Sequence, residues 1–202
     1  MEGDLLVFNK KEQKPQALKI YEAMLPIKKN MIVAVGGVPG SGKTEVVYYL
    51  RAELYRRKIK SLVLHVDDYY KVAEPGRRDL IRRQQRKIGL CEIDIPEIQD
   101  TIDLFKDNFK RINLKWFNKY INCYQHLQTP SKAVDVLIVE GLYACGLDNI
   151  DLKVHIDKTI QDTYDFRKKR GKEDVDSMFR QWVVLEEADE VQKLRINADL
   201  EV

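Results

Sequence analysis

Cysteine and histidine are scarce in this 202-residue chain, with three of each. Cys91, Cys123 and Cys145 are widely spaced and odd in number, so they form neither a disulfide framework nor a metal-ligand pattern. The three scattered histidines leave a zinc site unexpected. An excess of one charge is also lacking: 35 Lys+Arg against 32 Asp+Glu leave a net +3. That is too little for a dedicated nucleic-acid binder, so no nucleic-acid partner is expected. Long apolar runs are missing as well. The longest, MIVAVGGV, is far too short to cross a bilayer, so no membrane partner is expected. The charged start, MEGDLLVFNKKEQK, does not resemble a secretory signal. No internal repeat or low-complexity tract interrupts the chain. These absences point to one globular domain over residues 1–202 in a reduced, cytoplasmic setting. Homo-oligomerisation stays open.

What is present is alternation. Four short Val/Ile/Leu-rich runs, MIVAV (31–35), SLVLHV (61–66), VDVLIV (134–139) and LKVHI (152–156), are apolar on successive positions. Such runs suit strands buried on both faces of a parallel sheet. The tail NADLEV adds a fifth. Helical patterns fall at 14–25, ending at Pro26, and at 44–58, 96–111 and 175–194. The expected fold class is α/β: a three-layer sandwich around a five-stranded parallel sheet. The long stretch 68–133 exceeds one crossover helix and is expected to carry acceptor recognition.

After the first strand comes GGVPGSGKTE. Gly37 to Thr44 matches G-x-x-x-x-G-K-[ST], with a strand before and a helix after. Glycines allow the dihedrals that aim several N–H groups at one anion, and the following helix adds its positive end. The candidate nucleotide-binding set is Gly37, Gly40, Ser41, Gly42, Lys43, Thr44 and Glu45. Lys43 would reach the β- and γ-phosphates, and Thr44 would ligate Mg²⁺. Three classes of phosphate-loop protein compete: a small-molecule kinase, a regulatory NTPase and a nucleic-acid motor. The guanine-reading N-K-x-D of a GTPase is absent, since Asn118-Lys119 is followed by Tyr-Ile. A motor normally needs more chain.

Four stretches carry a resemblance. They are the phosphate loop, VDDYYK (66–71), DIPEIQD (94–100) and LIVEGLYA (137–144). The sequence resembles the uridine kinase and phosphoribulokinase-like family of P-loop kinases. That resemblance implies ATP and Mg²⁺, and transfer of the γ-phosphoryl group to a hydroxyl of a small-molecule acceptor, a nucleoside first among them. Sugar, sugar-phosphate and vitamin acceptors, or a regulatory P-loop NTPase, are the alternatives. It makes Asp67 the base for the acceptor hydroxyl, near the metal, with Asp68 a hydrogen-bonding neighbour. Glu140, at the end of its strand, would contact Mg²⁺ together with Thr44 and Asp67.

In the same resemblance Asp94 binds sugar hydroxyls. Read from the residues alone, Asp94 is equally an N-cap for the helix near Pro96. Gln181 stands where a base-contacting glutamine occurs. Tyr69, Tyr70 and Trp116 could stack on a planar base or pack as core, and Tyr70 is taken into the acceptor set. Arg167 and Arg170, on one helical face, fall in a lid expected over 163–175, where they would stabilise the transferring phosphoryl group. Ile95 replaces the family's histidine, and its aromatic–histidine segment has no recognisable register here. A second basic group, Arg77, Arg78, Arg82, Arg83, Arg86 and Lys87, has three readings: a solvated helix, nucleic-acid binding, or recognition of an acidic acceptor.

Overall fold

A computed structural model describes residues 6–72, 76–83, 87–118 and 120–202. Arg86 of the second basic group lies outside them. Helix α1 (Lys10–Ala23) leads into strand β1 (Met31–Gly36), followed by α2 (Lys43–Arg56) and β2 (Ser61–His65). A 3-10 turn, Val66–Tyr69, follows β2 directly. Then come α3 (Gly76–Arg82), a 3-10 turn at Leu90–Glu92, α4 (Ile95–Lys106), β3 (Arg111–Asn118), β4 (Cys123–Pro130) and β5 (Val136–Glu140). The chain closes with β6 (Leu152–His155), α5 (Ile160–Arg170), α6 (Met178–Arg195) and β7 (Leu200–Glu201).

The main sheet has five parallel strands in the order β2-β5-β1-β6-β7. Helices cover both faces, as the doubly apolar strands require. Along β1, Ile32 and Ala34 pack into one core with Phe105, Ile98 and Tyr69. Met31, Val33 and Val35 pack into the other, with Leu50 and Leu54 of α2 and Ile20 of α1. Alternate residues therefore face opposite layers, the period of a strand buried on both sides. Each such Val, Leu or Ile contributes about 1.5–3 kcal/mol relative to exposure.

Four expectations are corrected. The first helix begins a turn earlier than 14, because the Asn9 carbonyl accepts the Glu12 and Gln13 amides while Gln13 Oε1 accepts the Asn9 amide (2.8 Å). The second strand stops at His65 rather than 66, and the two aspartates lie on a 3-10 turn. The last long helix starts at Met178, not 175. The largest difference is at 96–111. The helix ends at Lys106, and residues 111–130 form an antiparallel hairpin, β3 with β4. The signal was the alternation in RINLKWFN, whose Ile112 and Leu114 are buried while Arg111 and Asn113 are exposed. The turn is local chemistry. Asn118 Oδ1 accepts the Tyr120 amide (3.0 Å), and Asn122 takes a left-handed conformation (φ 49°).

Candidate active site

Strand register builds the centre of the site. Glu140, the last residue of β5, lies level with Val35 on one neighbour and His65 on the other. The loop from Gly37 to Gly42 leaves β1 beside it, and α2 starts at Lys43. Thr44 Oγ1 donates to the Glu140 carboxylate, 3.2 Å from each oxygen. His65 Nδ1 donates to Glu140 Oε1 (2.7 Å). Gly141 allows the 3-10 turn to close over the strand end, since a Cβ there would lie 2.5 Å from Val66 Cβ.

The Lys43 ammonium donates to the Gly37 and Val38 carbonyls (2.9 and 3.0 Å). Burial lowers its pKa and Arg170 adds to that, while Glu140 and Asp67 oppose it. Asp67 is half-buried and shares this field. Burial raises its carboxyl above the usual range and Glu140 raises it further, while Lys43, His65 and Lys172 draw it back. For Glu140 burial also favours protonation, but the His65 hydrogen bond and the charges of His65 and Lys43 outweigh it, and the net shift is down. Two adjacent carboxyls are thus driven apart, Asp67 towards a base and Glu140 towards a fixed anion.

Asp68 faces elsewhere. It is buried, and its Oδ1 accepts the Phe117 amide of β3 (3.2 Å). Burial raises its pKa, and that amide lowers it. Tyr69 does similar work: its hydroxyl accepts the Lys115 amide (3.0 Å), and burial pushes its pKa up to about 12. The Tyr70 carbonyl accepts the Tyr124 hydroxyl (2.7 Å). The turn that aims Asp67 is therefore held by its neighbours against the hairpin.

Arg167 comes to the phosphate loop from α5. A Cβ on Gly40 would meet Arg167 Cγ at 2.4 Å, so the arginine stem lies directly over the loop. Its Nη1 donates to Glu173 (3.2 Å), and its buried Nε has no partner. Ser41 Oγ is likewise buried and without a partner. Buried donors left open around a Gly-rich loop suit a polyanion. Thr44, Glu140 and Asp67 offer hard oxygen donors of the kind Mg²⁺ takes. Among the described residues no group of three or more His, Cys, Asp or Glu could hold a metal by itself. A cation shared with bound phosphates fits that donor set. Beside the loop, a cavity of about 340 Å³ opens between Phe8, Asn9 and Glu12 on one side and Lys158, Asp162, Phe166 and Lys169 on the other.

Other candidate residues sit as follows. Arg170 lies in the field of Lys43. Glu45 is buried and accepts the Val7 amide (3.2 Å), so its carboxylate is engaged with the N-terminal segment. Asp94 caps α4 by accepting the Glu97 amide (3.3 Å). Tyr70 is half-buried, with Arg77 stacked on its ring at 4.7 Å and Asp67 in its field. Gln181 is exposed on α6 and donates to the Val175 carbonyl (3.3 Å). The structure thus gathers the phosphate loop, Asp67, Glu140, Arg167 and Arg170, and leaves Gln181 bonded at the N-terminus of α6. Sequence reasoning missed His65 and Lys172. His65 ends the strand next to the base, a position that could have drawn notice, whereas nothing in sequence ties Lys172 to Asp67.

The sequence matches no family model and, significantly, no curated protein. Solved structures do match. A provisionally named fructose transport system kinase from Silicibacter sp. TM1040 is 20% identical, over 94% of this chain and 98% of that one, with a TM-score of 0.66. A provisionally named uridine kinase from Bacillus stearothermophilus is 16% identical, over 94% and 98%, with a TM-score of 0.63. Phosphoribulokinase from Rhodobacter spheroides is 13% identical, over 86% and 69%, with a TM-score of 0.62. The chain therefore has the fold of the P-loop kinases, with the α/β sandwich expected from its strand pattern.

Proposed function

We propose that this protein is a small-molecule kinase that moves the γ-phosphoryl group of ATP to a hydroxyl. One observation carries the reading: Asp67 lies in the field of Lys43, Glu140 and Lys172, at the strand ends where the phosphate loop opens. A nucleotide switch needs no raised carboxyl there, whereas a phosphotransferase needs a base for its acceptor. The loop amides, Ser41, Lys43 and Arg167 hold the phosphates, and the cavity beside Phe8 and Phe166 receives the nucleotide base.

Thr44 and Glu140 would hold Mg²⁺, which neutralises phosphate charge when bound. Asp67 takes the acceptor proton as the hydroxyl oxygen bonds the γ-phosphorus. The bond from that phosphorus to the β–γ bridging oxygen breaks, and ADP leaves. Arg167 and Arg170 face the charge on the transferring group.

The acceptor we favour is uncharged, a nucleoside first. Arg77 heads the basic group that could have read an acidic acceptor, but it is buried and bound to two carboxylates, Glu92 and Glu187. A screen of nucleosides, sugars, sugar phosphates and vitamins for acceptor-dependent ADP release tests this. One neutral acceptor should raise ADP release many-fold and yield a phosphorylated product. Equal slow hydrolysis with every compound would instead make the chain a regulatory NTPase.

A further inference from the structure

Five side chains outside the candidate site join Arg167 in a line of alternating charge. Glu92, on the 3-10 turn before α4, takes a two-point contact from Arg77 of α3 (2.8 and 2.8 Å). Arg77 also donates to Glu187 of α6 (3.0 Å). Glu187 pairs with Arg180, two turns earlier on the same helix face (3.4 Å). Arg180 donates to Glu173, which accepts a second bond from Arg167 (3.2 Å). Glu92, Arg77, Glu187 and Arg167 are all buried. Arg77 stacks on the ring of Tyr70, which lies in the field of Asp67. Arg167, at one end of the line, lies over Gly40.

A buried ion line is a poor device for stability alone, because apolar side chains of similar volume do as well or better. Its physical use is orientation. Arg77 and Arg180 are each set between two carboxylates and Arg167 is held by one, Glu173, so deleting a member leaves the next charge seeking another partner. We propose that Arg77, Glu187, Arg180 and Glu173 are positioning residues that hold Arg167 over the phosphate loop and make its placement depend on docking of α3. The catalytic half of this statement rests on the kinase reading above. Arg77 touches no phosphate and acts on turnover through Arg167.

Two measurements on the full chain test it. The first needs no substrate. The buried Arg167 Nε–H is followed by nitrogen-15 NMR and identified by its loss in Arg167→Lys. In Arg77→Met its resonance should shift and its exchange with solvent rise about tenfold or more. Glu173→Gln, a partly exposed member of the line next to Arg167, should do the same if Arg77→Met folds poorly. An unmoved, still-protected Nε–H in Glu173→Gln overturns the proposal. The second is a kinetic cycle on the phosphorylation rate or, if no acceptor is found, on ATP hydrolysis. Arg77→Met should lower kcat about tenfold with KM for ATP within about twofold. In an Arg167→Met background the same change should cost less than about twofold. An equal loss in both backgrounds overturns the relay. A wild-type chain that binds no ATP·Mg overturns the kinase reading while leaving the NMR result to decide the relay.

Discussion

In the proposed kinase, the phosphate side and the acceptor side are built by different means. The phosphate side is a single stretch, Gly37–Thr44, pinned between a fully buried strand and the helix it starts. Its binding groups are mostly backbone amides, so a contiguous motif specifies them. The acceptor side is assembled from distant pieces. Asp68, Tyr69 and Tyr70 fasten the turn to a hairpin about fifty residues further on (separations 49, 46 and 54). Arg77 fastens α3 to Glu187, 110 residues away. In the proposed kinase the loop's share of phosphate binding rests on local backbone geometry, to which Arg167 adds from α5. The proposed acceptor side would rest on long-range side-chain bonds, which can differ between chains that keep the same sheet.

The sharpest way to break that contrast is at the junction of the two sides. Asp67→Asn should lower acceptor phosphorylation by about 10²–10⁴ while ATP binding stays largely intact. Asp68→Asn, which alters only the contact to Phe117, should cost far less. The opposite ranking in steady-state kinetics would exchange the roles of the two aspartates. Next comes the local motif. Lys43→Ala should reduce turnover by about 10²–10³, because it removes the charged donor that the kinase reading assigns to the phosphates. Undiminished turnover would exclude the phosphate-loop mechanism.

The acceptor side should yield differently. Tyr69→Phe strands the Lys115 amide and should cost about 1–3 kcal/mol of stability, read from a lowered denaturant midpoint at unchanged slope, with ATP affinity unchanged. A loss of ATP affinity without a loss of stability would contradict the division of labour.

The smallest effect is a pH dependence at Asp67. Its folded pKa is raised, chiefly by burial, so between the unfolded value near 4 and the folded value the native state binds the extra proton. Stability therefore falls as pH rises through that window. Asp67→Asn should be more stable than wild type at neutral pH, with the gain vanishing below about pH 4. Activity should fall on acidification at a pH above that of an ordinary carboxylate. A thermal-melt series across pH checks the first point and a rate profile the second. An Asp67→Asn protein no more stable than wild type at neutral pH would show that Asp67 carries no burial cost.

Much of the fold could be read before any coordinates. Apolar runs at 31–35, 134–139 and 152–156 became neighbouring parallel strands, because a strand covered on both faces must be apolar throughout. The helical pattern at 96–111 overran the true end of α4 at Lys106, because Asp107 to Arg111 continues a charged, helix-compatible composition, and the hairpin that begins at Arg111 drew no strand expectation. Exposed Trp116, Tyr120 and Leu127 further blurred the alternation. At the site, the phosphate loop and Glu140 were legible from their placement at strand ends. His65 was not, because its role depends on strand register: β2 runs level with β5 from Ser61 with Val136 onwards, and that register brings His65 beside Glu140.

Two adjacent pairs show where sequence stops. Asp67 and Asp68 are chemically identical, and a strand continuing past His65 would have separated them by alternation. A 3-10 turn separates them instead, because Tyr69 is drawn into the core and Asp68 onto the Phe117 amide. Arg77 and Arg78 are equally alike, yet Arg77 is buried and Arg78 is exposed. The sequence by itself determined the layered sheet and the phosphate loop, since buried-strand periodicity and glycine backbone freedom act over a few residues. The tertiary structure alone decided that Asp68 is tied to the Phe117 amide and which arginine is buried, because a charged side chain's partners lie wherever the fold delivers them.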